Sequence, residues 1–146
     1  MLSVTTCQWM QDNGFDPQAP NQTGKYQDSP LILACRQGEI AIAGDLLDAG
    51  VDIHLRNMDG TDALWACVVS DSFTLADALL RNGADIDNQN DNGATALMYA
   101  SSSGKTAWVE FFLAHGADTS KRSLDDFSAL ELASNRDCLR LLRACG

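Results

Sequence analysis

The side chains able to do chemistry are few, and their spacing argues against a catalytic centre. Histidine, the usual acid–base group near neutral pH, occurs twice, as His54 and His115, in separate stretches with no nucleophile beside either. Both are expected to be loop or cap residues. Cys7, Cys35, Cys67, Cys138 and Cys145 are odd in number and form no C-x-x-C pair. That leaves neither metal spacing nor a disulfide framework, and buried free thiols suit a reducing compartment. Gly104-Lys105-Thr106 has the residue types that close a phosphate-binding loop, but such a loop needs a glycine five residues earlier, where Tyr99 stands. The carboxylates Asp85 and Asp87, or Asp125 and Asp126, fall in polar turns, where water solvates both members and no division into acid and base is expected. Arg136, Arg140 and Arg143 follow helical spacing and are expected to solvate a terminal helix and favour its C-terminal end. No catalytic residue, cofactor or metal ligand is assigned, and the chain is expected not to be an enzyme.

If no site does chemistry, a surface must carry the function, and composition limits what that surface meets. The 146 residues are 45% hydrophobic, enough for one domain with a sizeable core. Twenty Asp and Glu against ten Lys and Arg leave a net charge of −10. Such a charge repels nucleic acid and anionic membranes and favours a protein partner with a basic surface, although solubility alone explains the same excess. The N-terminal stretch MLSVTTCQWMQDNG has no basic region and no long apolar run, unlike a signal peptide. No run of about 18 apolar residues occurs, so no membrane span is expected. A cytoplasmic protein, monomeric on its own, is the expectation.

The elements that build the surface are legible from four leucines. Leu31, Leu64, Leu97 and Leu130 stand one 33-residue period apart, the mark of a stacked array whose function lies on its face rather than in a pocket. Two places before them stand Ser29, Asp62, Thr95 and Ser128, all good helix N-caps. Pro30, Ala63, Ala96 and Ala129 follow at the first helical position, where proline or alanine is welcome. Ala34, Cys67, Ala100 and Ala133, three places after each leucine, share its helical face and let a neighbouring helix approach. The pairs Leu46-Leu47, Leu79-Leu80 and Phe112-Leu113 anchor a second helix, which Gly50, Gly83 and Gly116 end. Asp59-Gly60 and Asn92-Gly93 turn the chain between units.

The third unit is the fullest: Asn90-Asp-Asn-Gly-Ala-Thr95-Ala-Leu97-Met-Tyr-Ala100, then Gly104, Val109, Phe112-Leu113 and Gly116-Ala-Asp118. It resembles the ankyrin repeat, whose pattern runs D-x-x-G-x-T-P-L-H-x-A, a glycine between helices, then V-x-x-L-L-x-x-G-A-D. The resemblance covers nearly the whole chain and implies an all-α fold: an ankyrin-repeat solenoid of stacked helix-turn-helix units with β-turn fingers. The expected boundaries are an N-terminal capping helix and linker over 1–23, repeats over 24–56, 57–89 and 90–122, and a shortened capping repeat over 123–146. The ends depart from the pattern: Asp126 replaces the turn glycine, and Gly146 arrives three residues early. At the front, residues 3 to 12 are expected to form a helix covering the first repeat with Trp9. These breaks read as the ends of a complete array.

The resemblance also implies partner binding through finger tips and first helices lining a concave groove. Carried over by position, it assigns Tyr26, Met58, Asp59, Asp91, Asn92, Leu124, Asp125 and Phe127 on fingers. On first helices it assigns Arg36, Trp65, Val69, Met98 and Ser102. Trp65 and Met98 stand where the family has histidine, and a tryptophan there makes a rigid anchor or packs between first helices. Trp108 lies on a second helix and is not assigned to binding. The expected function is a protein–protein interaction module that docks a partner protein in the groove. The alternative is an accessory or regulatory factor of an enzyme, an inhibitor, maturation or protection factor, acting by the same binding.

Overall fold

In the computed structural model, which describes residues 2–145, the chain forms two compact units, residues 1–84 and 85–146. Met1 and Gly146, including the early terminal glycine, lie outside the described residues. The first unit holds α1 (Val4–Asp12), a single 3-10 turn (Lys25–Gln27), α2 (Pro30–Gln37), α3 (Ile40–Asp48), α4 (Ala63–Ser70) and α5 (Phe73–Arg81). The second holds α6 (Ala96–Ser102), α7 (Thr106–Ala114), α8 (Ala129–Leu132) and α9 (Arg136–Cys145). Among the described residues there is no strand. The architecture is all-α, that of an ankyrin-repeat solenoid.

Each first helix begins where its cap dictates. Ser29, Asp62, Thr95 and Ser128 accept from the backbone N–H three residues on, at 3.1, 3.2, 3.2 and 3.3 Å. At Ser128 the exchange is reciprocal, because Glu131 accepts from the Ser128 backbone N–H, closing a capping box. Within the first unit, α2 packs on α3 and α4, α4 on α5, and α3 on both α1 and α5. Within the second, α6 packs on α7 and α8, and α9 on α7 and α8. The second unit is therefore a pair of helical hairpins laid side by side, and the first is such a pair with α1 packed on α3.

The buried faces are those the period marks. Leu31, Leu64 and Leu97 are buried, as are Ala34, Cys67 and Ala100 three residues later. The second unit adds Trp108 and Phe112, with ring centroids 5.6 Å apart. Leu130, the fourth leucine of the period, is not covered as the other three are: it is 36% exposed. Helix α8 is one turn long and breaks off at Ala133, whose backbone is extended (φ −56°, ψ 120°), so it offers too little helix to cover its leucine. At the front, α1 is fastened to α3: Ser3 caps the helix and its N–H donates to Asp45 Oδ2 at 2.8 Å. Hydrogen bonds from Thr6 and Ser3 hold the Asp45 carboxyl below its usual range.

Candidate docking surface

The fingers repeat one small device. Residues 24, 57, 90 and 123 each donate their backbone N–H to the carbonyl four residues on and accept from the N–H three residues on, all at 2.9 to 3.0 Å. Side chains reinforce the turn. Asn57 Oδ1 accepts from the N–H groups of Asp59 and Thr61. Asn90 Oδ1 accepts from those of Asn92 and Ala94. The third turn position requires a left-handed backbone, taken by Gly60 (φ 77°) and Gly93 (φ 73°), and by Asp126 at φ 66° in the last finger. Asp126 thus fills the glycine's conformation at a cost of about 1 kcal/mol.

In the first unit the fingers are tied by Met58 N–H donating to the Tyr26 carbonyl at 3.0 Å. This brings Tyr26, Met58 and Asp59 to neighbouring exposed positions, with Tyr26 58% and Met58 54% accessible. On α4, Trp65 is partly exposed and Val69 is 51% exposed. Arg36 on α2 has a role that its sequence position does not reveal. Its guanidinium grips Asp28 with two hydrogen bonds, at 2.5 and 2.9 Å, and Asn57 Nδ2 donates to the same carboxylate at 3.1 Å. The residue expected at the binding surface is a strut that links first finger, first helix and second finger. Half of its reach is spent inward.

In the second unit, Leu124 N–H donates to the Asn92 carbonyl at 2.9 Å. The approach is close enough that a Cβ on Gly93 would lie 2.9 Å from Leu124 N. Asp91, Asn92 and Asp125 are exposed on these fingers, as are Phe127 and, at 77%, Leu124. Ser102 is exposed on α6, its hydroxyl donating to the Tyr99 carbonyl. Met98 corrects the expectation: it is 1% exposed and offers nothing to a partner. It lies in the first turn of α6, and an unbranched thioether there gains more from close packing than from water. Arg122, which no repeat position marks in the sequence, is drawn into the last finger. It joins Asp126 and Glu131 at 2.6 and 2.8 Å, and hydrogen bonds from Ser128, with Arg122 nearby, hold the Glu131 carboxyl below its usual range.

The His54 backbone N–H donates to Asp52 Oδ1, while His115 Nδ1 lies 2.8 Å from the Phe111 carbonyl with its ring against Phe111. Cys35 and Cys67 are fully buried, and a hydrogen bond with Cys35, added to burial, pushes the Cys67 thiol far up. A thiol so protected is a poor nucleophile. Among the described residues no group of His, Cys, Asp or Glu is arranged to hold a metal ion, and no helix is long and apolar enough to cross a membrane.

The family model for ankyrin repeats, built of three copies, matches residues 3–90 and 64–146. No curated protein matches the chain. Among solved structures it is similar to the ankyrin repeat domain of Bcl-3, described as a unique member of the IkappaB protein family, with 27% identity and a TM-score of 0.74. That match covers 80% of this chain and 51% of the other, so this chain spans about half the length of that solved one.

Proposed function

Given that the chain belongs to the ankyrin-repeat family, we propose that it docks a partner protein along its fingers and first helices, acting as a monomer in a reducing, cytoplasmic setting. The observation that carries this reading is the exposure of large apolar side chains on finger tips: Tyr26, Met58, Leu124 and Phe127. Turn tips meet water and are ordinarily polar, and apolar and aromatic anchors of this kind dominate interface energy. The fingers are rigid at the backbone, each closed by paired hydrogen bonds, so little ordering cost is left for the moment of binding. Ankyrin repeats are typically non-enzymatic binding modules, and regulation of an enzyme by such docking uses the same residues. Buried free thiols at Cys35, Cys67 and Cys138 support the reducing setting.

The test is capture of a partner by the immobilised chain, compared with Trp65→Ala and Phe127→Asp. Both substitutions are expected to reduce capture at least about tenfold, the loss of one good anchor; Phe127→Asp should melt near the parent, while Trp65→Ala, at a partly buried side chain, should keep its circular dichroism and melt lower. Undiminished capture by both variants would remove the surface from consideration without touching the fold.

A further inference from the structure

Resting on that docking reading, the first unit holds one place whose chemistry differs from the acidic surface around it. After α1 the chain turns back, Phe15 N–H donating to the Met10 carbonyl at 2.8 Å. The linker then presses on the Phe15 ring so closely that a Cβ on Gly24 would lie 2.9 Å from it. Between this linker, the first finger and the outward face of α2 lies a recess of about 270 Å³, lined by Phe15, Lys25, Tyr26, Leu33, Arg36 and Gln37 among others. Leu33, Arg36 and Gln37 reach it together because residues three and four apart share a helical face.

Three features give the recess a sign and a shape. Residues 1–84 contain four Lys or Arg, and two of them, Lys25 and Arg36, line this recess, where Asp28 is the lone carboxylate among the lining residues and Asp59 lies near enough to act on Arg36 as well. Arg36 spends two of its five N–H donors on Asp28, a pairing that fixes its fork, and its side chain is still 34% exposed. Lys25 has no carboxylate partner among the described residues; its ammonium sits 5.0 Å from the Tyr26 ring centroid. Third, Tyr26 and Gln27 are both left-handed, at φ 60° and 61°, in the register where the second and third fingers place Asp59-Gly60 and Asn92-Gly93. A bulky residue in that conformation costs about 1 kcal/mol or more, and such strain persists at ligand clamps and similar sites.

We propose that this recess is the anchor site for an acidic peptide segment of the partner, a carboxylate side chain flanked by apolar residues. Lys25 and the free edge of Arg36 meet the carboxylate, Gln37 donates beside them, and Phe15, Leu33 and the Tyr26 ring take the flanking apolar groups. The volume is below the roughly 300–1,000 Å³ of sites for drug-sized molecules, so it suits a side chain or two. A polyanion such as nucleic acid meets a chain of net charge −10 and is repelled. A single carboxylate among apolar residues is repelled far less and gains charge-assisted hydrogen bonds.

The probes are acetyl-Ala-Leu-Glu-Leu-Ala-amide and the same peptide with Gln for Glu, titrated into the nitrogen-15-labelled full chain. The Glu peptide is expected to shift the amide signals of Lys25, Tyr26, Arg36 and Gln37 saturably, and the Gln peptide to bind about fivefold more weakly. Lys25→Glu, an exposed finger substitution, should weaken the Glu peptide about tenfold and spare the Gln peptide. Equal affinity of the two peptides, shifts centred elsewhere, or no saturable shift each overturns the acidic anchor. Loss of partner capture by Phe127→Asp alongside any of these leaves the docking reading standing without the recess.

Discussion

Asp28 shows how much one residue can carry without any mark in the local sequence pattern. Its side chain is 5% exposed and faces Arg36, eight residues on, and Asn57, 29 residues on. Neither spacing belongs to a helix or a turn, so the network is invisible until the finger is folded over the helix. Asp28→Asn leaves the guanidinium half-paired; about 1–3 kcal/mol of stability should be lost in urea unfolding, less than for a fully buried pair because Arg36 is partly in water. Asp137→Asn, which breaks the exposed pair with Arg140, should leave the unfolding midpoint in place. Asp62 is a different case. Its capping role is plain from the sequence, but burial raises its pKa above the usual value, despite hydrogen bonds from Trp65 and Leu64 that pull it down. A raised folded-state pKa means that Asp62 favours the fold while protonated and that this contribution is lost as pH rises through the raised value. Asp62→Thr keeps a cap without the charge. Its stability relative to the parent should therefore improve between about pH 3 and pH 7, and parallel urea curves at the two pH values would measure it.

At the scale of elements, the caps, the small residues and the closing glycines all sit in local pattern, and the first helix of each repeat begins where its cap puts it. What pattern does not carry is the length of α8 and the consequent exposure of Leu130, because both depend on how the chain leaves Ala133. Nor does it distinguish Met98, buried, from Trp65, partly exposed, at equivalent positions. That difference is decided by packing, not by register. The finger pair of the second unit offers the sharpest element-level test. Gly93 combines φ 73° with backbone 2.9 Å from a would-be Cβ, so Gly93→Ala adds left-handed strain and forces Leu124 away from Asn92. A loss of about 1–3 kcal/mol is expected, together with faster hydrogen exchange at the Leu124 amide. A variant with parent-like stability and exchange would show that the two fingers are not locked together.

For the whole molecule, the period marks the class of protein and the apolar residues on its fingers, while the recess between linker, first finger and α2 depends on how the chain returns after α1 and leaves no mark in the pattern. The net charge of −10 is a property of the entire chain and acts at long range. If the partner's surface is basic, its association rate should fall steeply as salt rises through the range where the screening length drops from about 30 to 8 Å, with the dissociation rate little changed. The most direct measurement of the docking surface is hydrogen exchange of the full chain with and without its captured partner. Protection is expected at the finger amides around Tyr26, Met58, Asn92 and Leu124 and along α2 and α4. Protection confined to α3, α5 and α7, with the fingers exchanging as in the free chain, would contradict it.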